Sequence, residues 1–311
     1  MPQGYDIIGD IHGHAAELEQ LLLHLGYRET GSGFRHPGRK VVFLGDFIDR
    51  GEHLRQHRRL LEIVMAMVNN GHALAVMGNH ELNALAYHTL HKGEPLRPRT
   101  PKNTRQHQAF LNEFDHLPEL KGDVLDFFRQ LPLWLELEGC RVVHACWDQQ
   151  HVDLLRDRAP DARLDHELLV AASTRGTPEF VAVETLLKGY EVSLSEGITF
   201  ADKDGNARKA VRVQWWNKDA TCLGDIALPL GVDIGAAASL SVPENVPEYP
   251  PDAVPCFIGH YWLHGEPGPL THNVACLDYS VVKGRKGGGK LVAYRFDGEQ
   301  KLEKARFTHT D

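Results

Sequence analysis

Three short motifs recur at regular places in the first ninety residues: Gly9-Asp10-Ile11-His12-Gly13, Gly45-Asp46-Phe47-Ile48-Asp49-Arg50-Gly51 and Gly78-Asn79-His80-Glu81. Each follows an apolar run of strand type, at 5–9, 41–44 and 73–77. Helical spacing fills the intervals: Ala15, Leu18, Leu21, Leu22 and Leu25 before a stop at Gly26, then Leu60, Leu61, Val64 and Val68. Continuous apolar strands are the pattern of a sheet covered on both faces. The layout is βαβαβ, which predicts parallel strands with right-handed crossovers. In such a sheet the turns at the carboxyl ends of the strands converge on one crevice, so the three motifs are predicted to meet.

Beyond residue 90 the pattern changes. The stretch 92–120 is polar, rich in Pro, Lys, Arg and His, and reads as loops with a short helix. Residues 133–137 and 141–145 read as strands paired across Glu138-Gly139, and helical spacing returns over 148–187. Strand character resumes at 256–259, 274–277 and 291–296, the last after the turn Lys286-Gly287-Gly288-Gly289. Between these, 189–255 holds a strand-like piece at 210–216, a turn at 202–205 and a passage rich in Pro and Gly. The whole reads as an α/β fold, one domain over 1–311. His144 and His260 are 260 − 144 = 116 positions apart, more than neighbouring strands require. We therefore expect 189–255 to be a cap or rim insertion. There Lys203, Arg208, Lys209, Arg212, Trp215 and Trp216 could meet a nucleotide or anionic chain; the plainer alternative is a surface hairpin whose tryptophans pack on the main body.

Composition narrows the function classes. With 34 Lys+Arg against 42 Asp+Glu the formal charge is −8. That argues against sequence-independent nucleic-acid binding, which relies on cationic neutralisation of phosphates. The most apolar long window, 223–242, carries Asp225, Asp233 and several Gly, so no membrane partner is expected. Five Cys without a C-x-x-C pair read as free thiols in a reducing compartment. The opening MPQGYDIIGD has no basic leader before an apolar stretch, and the cytoplasm is the expected location.

Taken singly, an Asp, Asn or His at a strand end is an ordinary turn or cap residue. Here Asp10, His12, Asp46, Asn79 and His80 stand at three successive strand ends, and His144 and His260 follow two later strands. Seven such groups at one sheet edge are costly unless cations hold them together. Mixed carboxylate, amide and imidazole donors suit Mn²⁺, Fe or Zn²⁺ better than a thiolate site, and no Cys is needed.

The motifs resemble the calcineurin-like metallophosphoesterase superfamily. The forms GDIHG, GDFIDRG and GNHE are similar to its phosphoprotein-phosphatase branch, which includes bacterial Ser/Thr protein phosphatases and symmetrical diadenosine tetraphosphatases. The likeness is dense from residue 5 to about 83, then limited to His144 and 256–295. It implies a four-layer α-β-β-α sandwich of two mixed sheets with two divalent ions at the sheet edge, Mn²⁺ first, Fe or Zn as alternatives. It implies that Asp10 and His12 bind the first ion, that Asp46 bridges, and that Asn79, His144 and His260 hold the second. Ions bridged in this way sit about 3.5–4 Å apart, and a hydroxide between them attacks phosphorus in line. His80 would protonate the leaving oxygen, Asp49 would orient it, and Arg50, Asn79 and His80 would contact the substrate. Arg50 offers a planar fork for phosphate oxygens.

The chain also departs from the family pattern. Ala145-Cys146-Trp147 stands where the family's protein phosphatases carry a glycine pair, and His264 comes four positions after His260 rather than two. His264 is therefore expected to be structural, or to support a ligand from behind, rather than to be a ligand itself. A second phosphate-gripping arginine is left open among Arg97, Arg99, Arg105, Arg175 and Arg212, and Asp278 is either a support for the site or a turn cap. The expected activity is metal-dependent hydrolysis of phosphate monoesters on a phosphorylated protein or small molecule. Hydrolysis of dinucleoside polyphosphates is the enzymatic alternative. A non-catalytic scaffold for phosphorylated partners is the rival of another class; the presence of both His80 and Asp49 speaks against it, since a scaffold needs no proton donor.

Overall fold

The computed structural model describes residues 4–50, 53–194, 198–201 and 207–310. Gly51 of the second motif, and Lys203 with the 202–205 turn, lie outside the described residues. The opening alternation forms as expected: β1 (Gly4–Ile8), α1 (Ala15–His24), β2 (Arg39–Phe43), α2 (His57–Asn69), β3 (Ala73–Ala75) and α3 (Asn79–His88). β1 and β2 run parallel with Ile7 opposite Val42, and β2 and β3 run parallel with Val42 opposite Leu74. α1 buries Ala15, Leu18, Leu21 and Leu22, and the chain then turns at Gly26, whose φ of 92° few L side chains adopt. β3 is two residues shorter than its apolar run, because the Met77 amide turns away to donate to Pro132 O at 2.8 Å.

Two mixed sheets build the body. The second is β4 (Trp134–Leu137), β5 (Cys140–Val143), β6 (Cys256–Ile258) and β7 (Val274–Cys276), in the order β7-β6-β5-β4. Its first three strands are parallel, while β4 and β5 form the expected hairpin, Leu137 opposite Cys140. The first sheet is completed by β8 (Asp278–Tyr279), β9 (Lys290–Phe296) and β10 (Phe307–His309), in the order β8-β9-β1-β2-β3 with β10 also on β9. The chain crosses from one sheet to the other at Leu277.

The cores follow from strand alternation. Ile7, Val42, Leu44 and Val76 of the first sheet meet Val142, Phe257 and Ala275 of the second in one buried cluster. Phe257 packs with ring centroids 5.1 Å from Tyr294 and 5.6 Å from Phe296. Each such aromatic contributes roughly 1.5–3 kcal/mol. One step along the same strands, Ile8, Val41 and Phe43 join the cluster that includes α1 and α2. On the far side Val143, Ile258 and Cys276 join Val152, Leu155, Val183 and Leu186 of α7 (Gln149–Arg156) and α8 (Pro178–Lys188). Helix, sheet, sheet and helix stack as four layers.

The 92–120 stretch is more ordered than its polar composition suggests. It contains α4 (Pro101–Gln106) and α5 (Gln108–Phe114), and α6 (Pro118–Gln130) begins within it. Thr100 caps α4 by accepting from the Asn103 amide at 3.2 Å, and Phe110 and Phe114, four residues apart, are buried with Phe127 and Phe128. Within 189–255, Glu191–Ser193, Ala210–Val213 and Ala227–Leu228 form a three-stranded sheet over a separate core of Val211, Val213, Leu223, Ile226, Ala227, Ile234 and Ala237. Trp215 and Trp216 are buried in the main body, as in the plainer reading. Trp215 Nε1 donates to Ala145 O at 3.2 Å and to Tyr261 Oη at 3.0 Å. Among the described residues no helix is long and apolar enough to cross a membrane.

Candidate active site

The carboxyl ends of β1, β2, β5 and β6 and the start of α3 meet at one rim. Backbone bonds set the approach: the Ile11 and His12 amides both donate to Asp46 O, and the Gly259 amide donates to His144 O. Two glycines make room for carboxylates. A Cβ on Gly78 would overlap Asp46 Oδ1, and one on Gly259 would overlap Asp10 Oδ1.

Asp46 is the centre. Its Oδ1 accepts from the His80 amide at 2.9 Å, while Oδ2 lies 3.6 Å from His12 Nε2 and 3.4 Å from His144 Nε2. Two trios of donor atoms follow, each within 4.8 Å of one another: His12, Asp46 and His80, and Asp46, His144 and His260. Asn79 joins the second, its Oδ1 3.3 Å from His144 Nε2. Asp10 lies beside both trios without belonging to either; its carboxylate accepts from the His260 amide at 3.1 Å.

The imidazoles are aimed from behind. His12 Nδ1 donates to Ile48 O at 2.9 Å and His144 Nδ1 donates to Leu44 O at 2.7 Å. Each bond places a proton on Nδ1 and turns Nε2 toward the rim. His12 Nε2 and His260 Nε2 are buried without a hydrogen-bond partner. Burial holds His12 neutral, with its pKa lowered to about 3, although the Asp46 carboxylate opposes this. Burial also opposes charge on His144, but the Asp46 and Asp10 carboxylates outweigh it and raise its pKa to about 10. Orphaned lone pairs around buried carboxylates that attract positive charge are the donor set a pair of divalent cations requires, and the residues fit such a group. All five Cys are free, and none belongs to either trio.

His80 is only 6% exposed, and its Nδ1 faces Asp49 Oδ2 at 3.1 Å. Desolvation would raise the Asp49 carboxyl pKa, yet hydrogen bonds from His107 and His80 hold it well below the usual range. Asp49 and Arg50 both have φ of 67°, in the left-handed region. The exposed Arg50 guanidinium lies over the Trp262 ring, 5.2 Å from its centroid.

Three supporting residues escape a reading of the motifs as ligands alone. Glu81 is fully buried and accepts from the amides of Asp46 at 2.8 Å, Phe47 at 2.9 Å and Gly78 at 3.0 Å, so it splints two of the motifs together. Burial and the neighbouring Asp46 raise its pKa to about 7. Its place as the last residue of GNHE was the available signal. Asp278 accepts from the amides of Trp262 at 2.8 Å and Ser280 at 2.9 Å, which makes it a buried cap for the turn beside His260. His107, whose Nδ1 lies 3.2 Å from Asp49 Oδ2, comes from the stretch that reads as loops with a short helix, and no local pattern marks it.

His264 is exposed beside Lys283, away from the rim. Of the five open arginines, Arg99, Arg105 and Arg175 are exposed, and Arg97 donates to Asn83 Oδ1 and Gln106 Oε1. Arg212 donates from Nη2 to Glu191 Oε1 at 3.4 Å, but its Nε is buried without a hydrogen-bond partner, and its charge is the main neighbour that, after burial, keeps His260 neutral.

Residues 5–195 match the family described as calcineurin-like phosphoesterase. The asymmetrical bis(5'-nucleosyl)-tetraphosphatase PrpE of Oceanobacillus iheyensis is 30% identical over 141 residues, 45% of this chain and 54% of that protein. PrpE of Bacillus cereus (strain Q1) is 32% identical over 152 residues, 48% of this chain and 59% of that protein. The chain thus spans little more than half the length of these relatives. Among solved structures, a protein serine/threonine phosphatase from Saccharomyces cerevisiae with similarity to human phosphatase PP5 superposes with TM-score 0.53 at 12% identity, covering 99% of this chain and 80% of that one. A cold-active protein-tyrosine phosphatase of a psychrophilic Shewanella does so with TM-score 0.50 at 15% identity, covering 97% and 82%. These likenesses concern the fold.

Proposed function

Because the chain belongs to the calcineurin-like phosphoesterase family, we propose that it is a divalent-metal-dependent hydrolase of phosphate monoesters. The observation that carries this is the pair of donor trios sharing Asp46, with the Nε2 atoms of His12 and His260 left unpartnered. Asp10, His12, Asp46, Asn79, His144 and His260 would hold two cations, manganese first and iron or zinc otherwise, given the mixed oxygen and nitrogen donors. Bound there, the cations supply charge neutralisation for the phosphoryl oxygens and an acidified water as nucleophile.

The chain's own groups do the rest. His80, with Nδ1 on Asp49, keeps Nε2 for the proton that the leaving oxygen takes up. Arg50, steadied over Trp262, grips phosphate oxygens from the open side. Arg212, with its unpartnered Nε, is our choice for the second grip. The 189–255 region then forms a wall on the His260 side, joined to it through Trp215 and Tyr261. Free thiols throughout favour the cytoplasm.

A second reading, hydrolysis of dinucleoside polyphosphates, is favoured by the names of the sequence relatives, whose matches cover the motif-bearing half. Phosphate release from an aryl phosphate, a phosphopeptide and diadenosine tetraphosphate, with Mn²⁺ or with chelator, separates the two by kcat/KM. His80→Asn is expected to keep its metal and lose about 10²–10⁴-fold in kcat, the range for a general acid. Turnover indifferent to chelator, or an undiminished His80→Asn enzyme, would refute the assignment.

A further inference from the structure

We propose that His107, backed by His88, is a positioning residue for the reaction: from the cap position just before helix α5 it fixes the Asp49 carboxylate that orients His80. The inference rests on the role given to His80 above.

Asp49 needs outside support. It sits in a left-handed stretch with Arg50, both at φ 67°, a conformation that non-glycine residues keep only when neighbours hold them. It is 2% exposed, so its oxygens must find donors within the protein. His80 Nδ1 satisfies Oδ2 at 3.1 Å. His107 Nδ1 spans both oxygens, 3.3 Å from Oδ1 and 3.2 Å from Oδ2. A carboxylate only accepts, so both imidazoles present Nδ1–H to it.

His107 itself has little freedom. Its ring stacks on Phe110 at 4.8 Å and 15°, lies 5.2 Å from Tyr87, and meets His88 Nε2 through its own Nε2 at 3.1 Å. With Nδ1 of His107 protonated, the pattern is completed by His88 donating from Nε2 to His107 Nε2. Burial, then the neighbouring His107, lowers the pKa of His88 to about 4, so it is the neutral donor this pattern calls for. His88 closes α3 and His80 opens it, so the chain His80–Asp49–His107–His88 begins and ends on one helix.

The same helix α5 grips the loop a second time. Glu113 accepts from the amides of His57 and Arg58, each at 3.1 Å, and lies 2.7 Å from His57 Nδ1, while His57 Nε2 reaches Asp49 O at 3.4 Å. Phe110 and Phe114 anchor α5 in the core. One helix from a polar stretch thus secures both the backbone and the side chain of Asp49.

The experiment uses the full chain loaded with Mn²⁺. H107F removes the donor, whereas H107N keeps an amide N–H near the place of Nδ1. On an alkyl phosphate, whose leaving oxygen must be protonated, H107F is expected to lose on the order of 10–100-fold in kcat, the usual cost of losing an orienting partner, with KM and metal content unchanged. On p-nitrophenyl phosphate the loss is expected to be smaller, and H107N is expected to recover most of it. Undiminished kcat in H107F, equal losses on both esters, loss of metal, or H107N as impaired as H107F would each overturn the proposal. Long-range ¹H–¹⁵N spectra of the wild-type protein give a test that needs no variant to fold: His107 must carry its proton on Nδ1 near neutral pH, and an Nε2–H tautomer overturns the proposal. An impaired His80→Asn enzyme beside an unimpaired H107F enzyme sinks the positioning role alone. A fully active His80→Asn enzyme sinks the hydrolytic reading and this role with it.

Discussion

Buried charge is treated in opposite ways at the two ends of β1. On the entry side, Asp6 is completely shielded yet saturated: Tyr27 Oη donates to it at 2.9 Å, and Arg39 Nε lies 3.0 Å from each oxygen. Arg39 donates onward to Tyr5 O, Phe296 O and Asp297. At the carboxyl end, Asp10 and Asp46 are similarly buried, but among the described residues their ion-pair partners are imidazoles or none, and the Nε2 atoms of His12 and His260 have no hydrogen-bond partner. Strain divides the same way. His12, Asp46, Asp49, Arg50 and His260 all have positive φ, whereas Asp6 and Arg39 do not. One end is a finished structural ion pair; the other stays incomplete until something cationic arrives.

If that contrast holds, substitutions at the two ends should separate stability from activity. Arg39→Met leaves Asp6 buried with only Arg295 Nε, 3.7 Å away, to offset its charge. Removing one partner of a buried pair costs about 3–5 kcal/mol, and the residual arginine points to the lower part of that range. Urea unfolding at neutral pH measures it, while kcat per folded molecule should be unchanged. A stability loss under about 1 kcal/mol would mean that the entry end is no better compensated than the rim. Next in size is the response to metal. Free Mn²⁺ at a hundredfold over its Kd should stabilise the wild type by about 2.7 kcal/mol per site, because the folded rim binds and the unfolded chain does not. Asp46→Asn removes the atom shared by both trios and should abolish most of that gain in a thermal-shift titration. An equal gain in Asp46→Asn would place the binding elsewhere.

Legibility in the sequence follows the same line. The first sheet could be read because its strands are continuous apolar runs and its helices have clean spacing, as in Leu18, Leu21 and Leu22. The meeting of the motif residues was legible because each motif sits directly after a strand, so topology alone brings Asp10, Asp46 and Asn79 to one rim. A short helix was legible within 92–120, but the placement of α5 was not. Its two buried phenylalanines lie in a background of Gln, Asn, Glu and His, and the partner of His107 is a carboxylate 58 positions earlier. Contacts of that range leave no local trace. Glu81 was visible as a residue but not as a splint, because its three acceptor bonds depend on how β2 and α3 are placed. The separate core under 189–255 is made of short pieces such as Val211, Val213 and Ile226, too brief to give a period.

The smallest of these effects concerns how that region is fastened to the rim. Trp215 joins the two: its indole Nε1–H is shared between Ala145 O, one residue from His144, and Tyr261 Oη, one residue from His260. Its ring also meets Trp216 at 5.7 Å and Tyr249 at 6.3 Å, so most of its packing is apolar and survives replacement by another aromatic. Trp215→Phe therefore removes chiefly one buried donor. The expected cost is about 1–2 kcal/mol of stability, the penalty for leaving a buried acceptor unmet. Because Tyr261 also packs on His260 at 5.7 Å, some of that cost should appear at the rim as weaker metal binding, reading as a higher Mn²⁺ requirement with kcat at saturation unchanged. Tyr261→Phe removes the other half of the bond, and the double variant should cost less than the sum of the two singles, since both sever one hydrogen bond. Strict additivity would mean that the 189–255 wall and the ligand rim are mechanically independent, and that the boundary between finished and incomplete polar structure lies nearer the metals than β1 alone suggests.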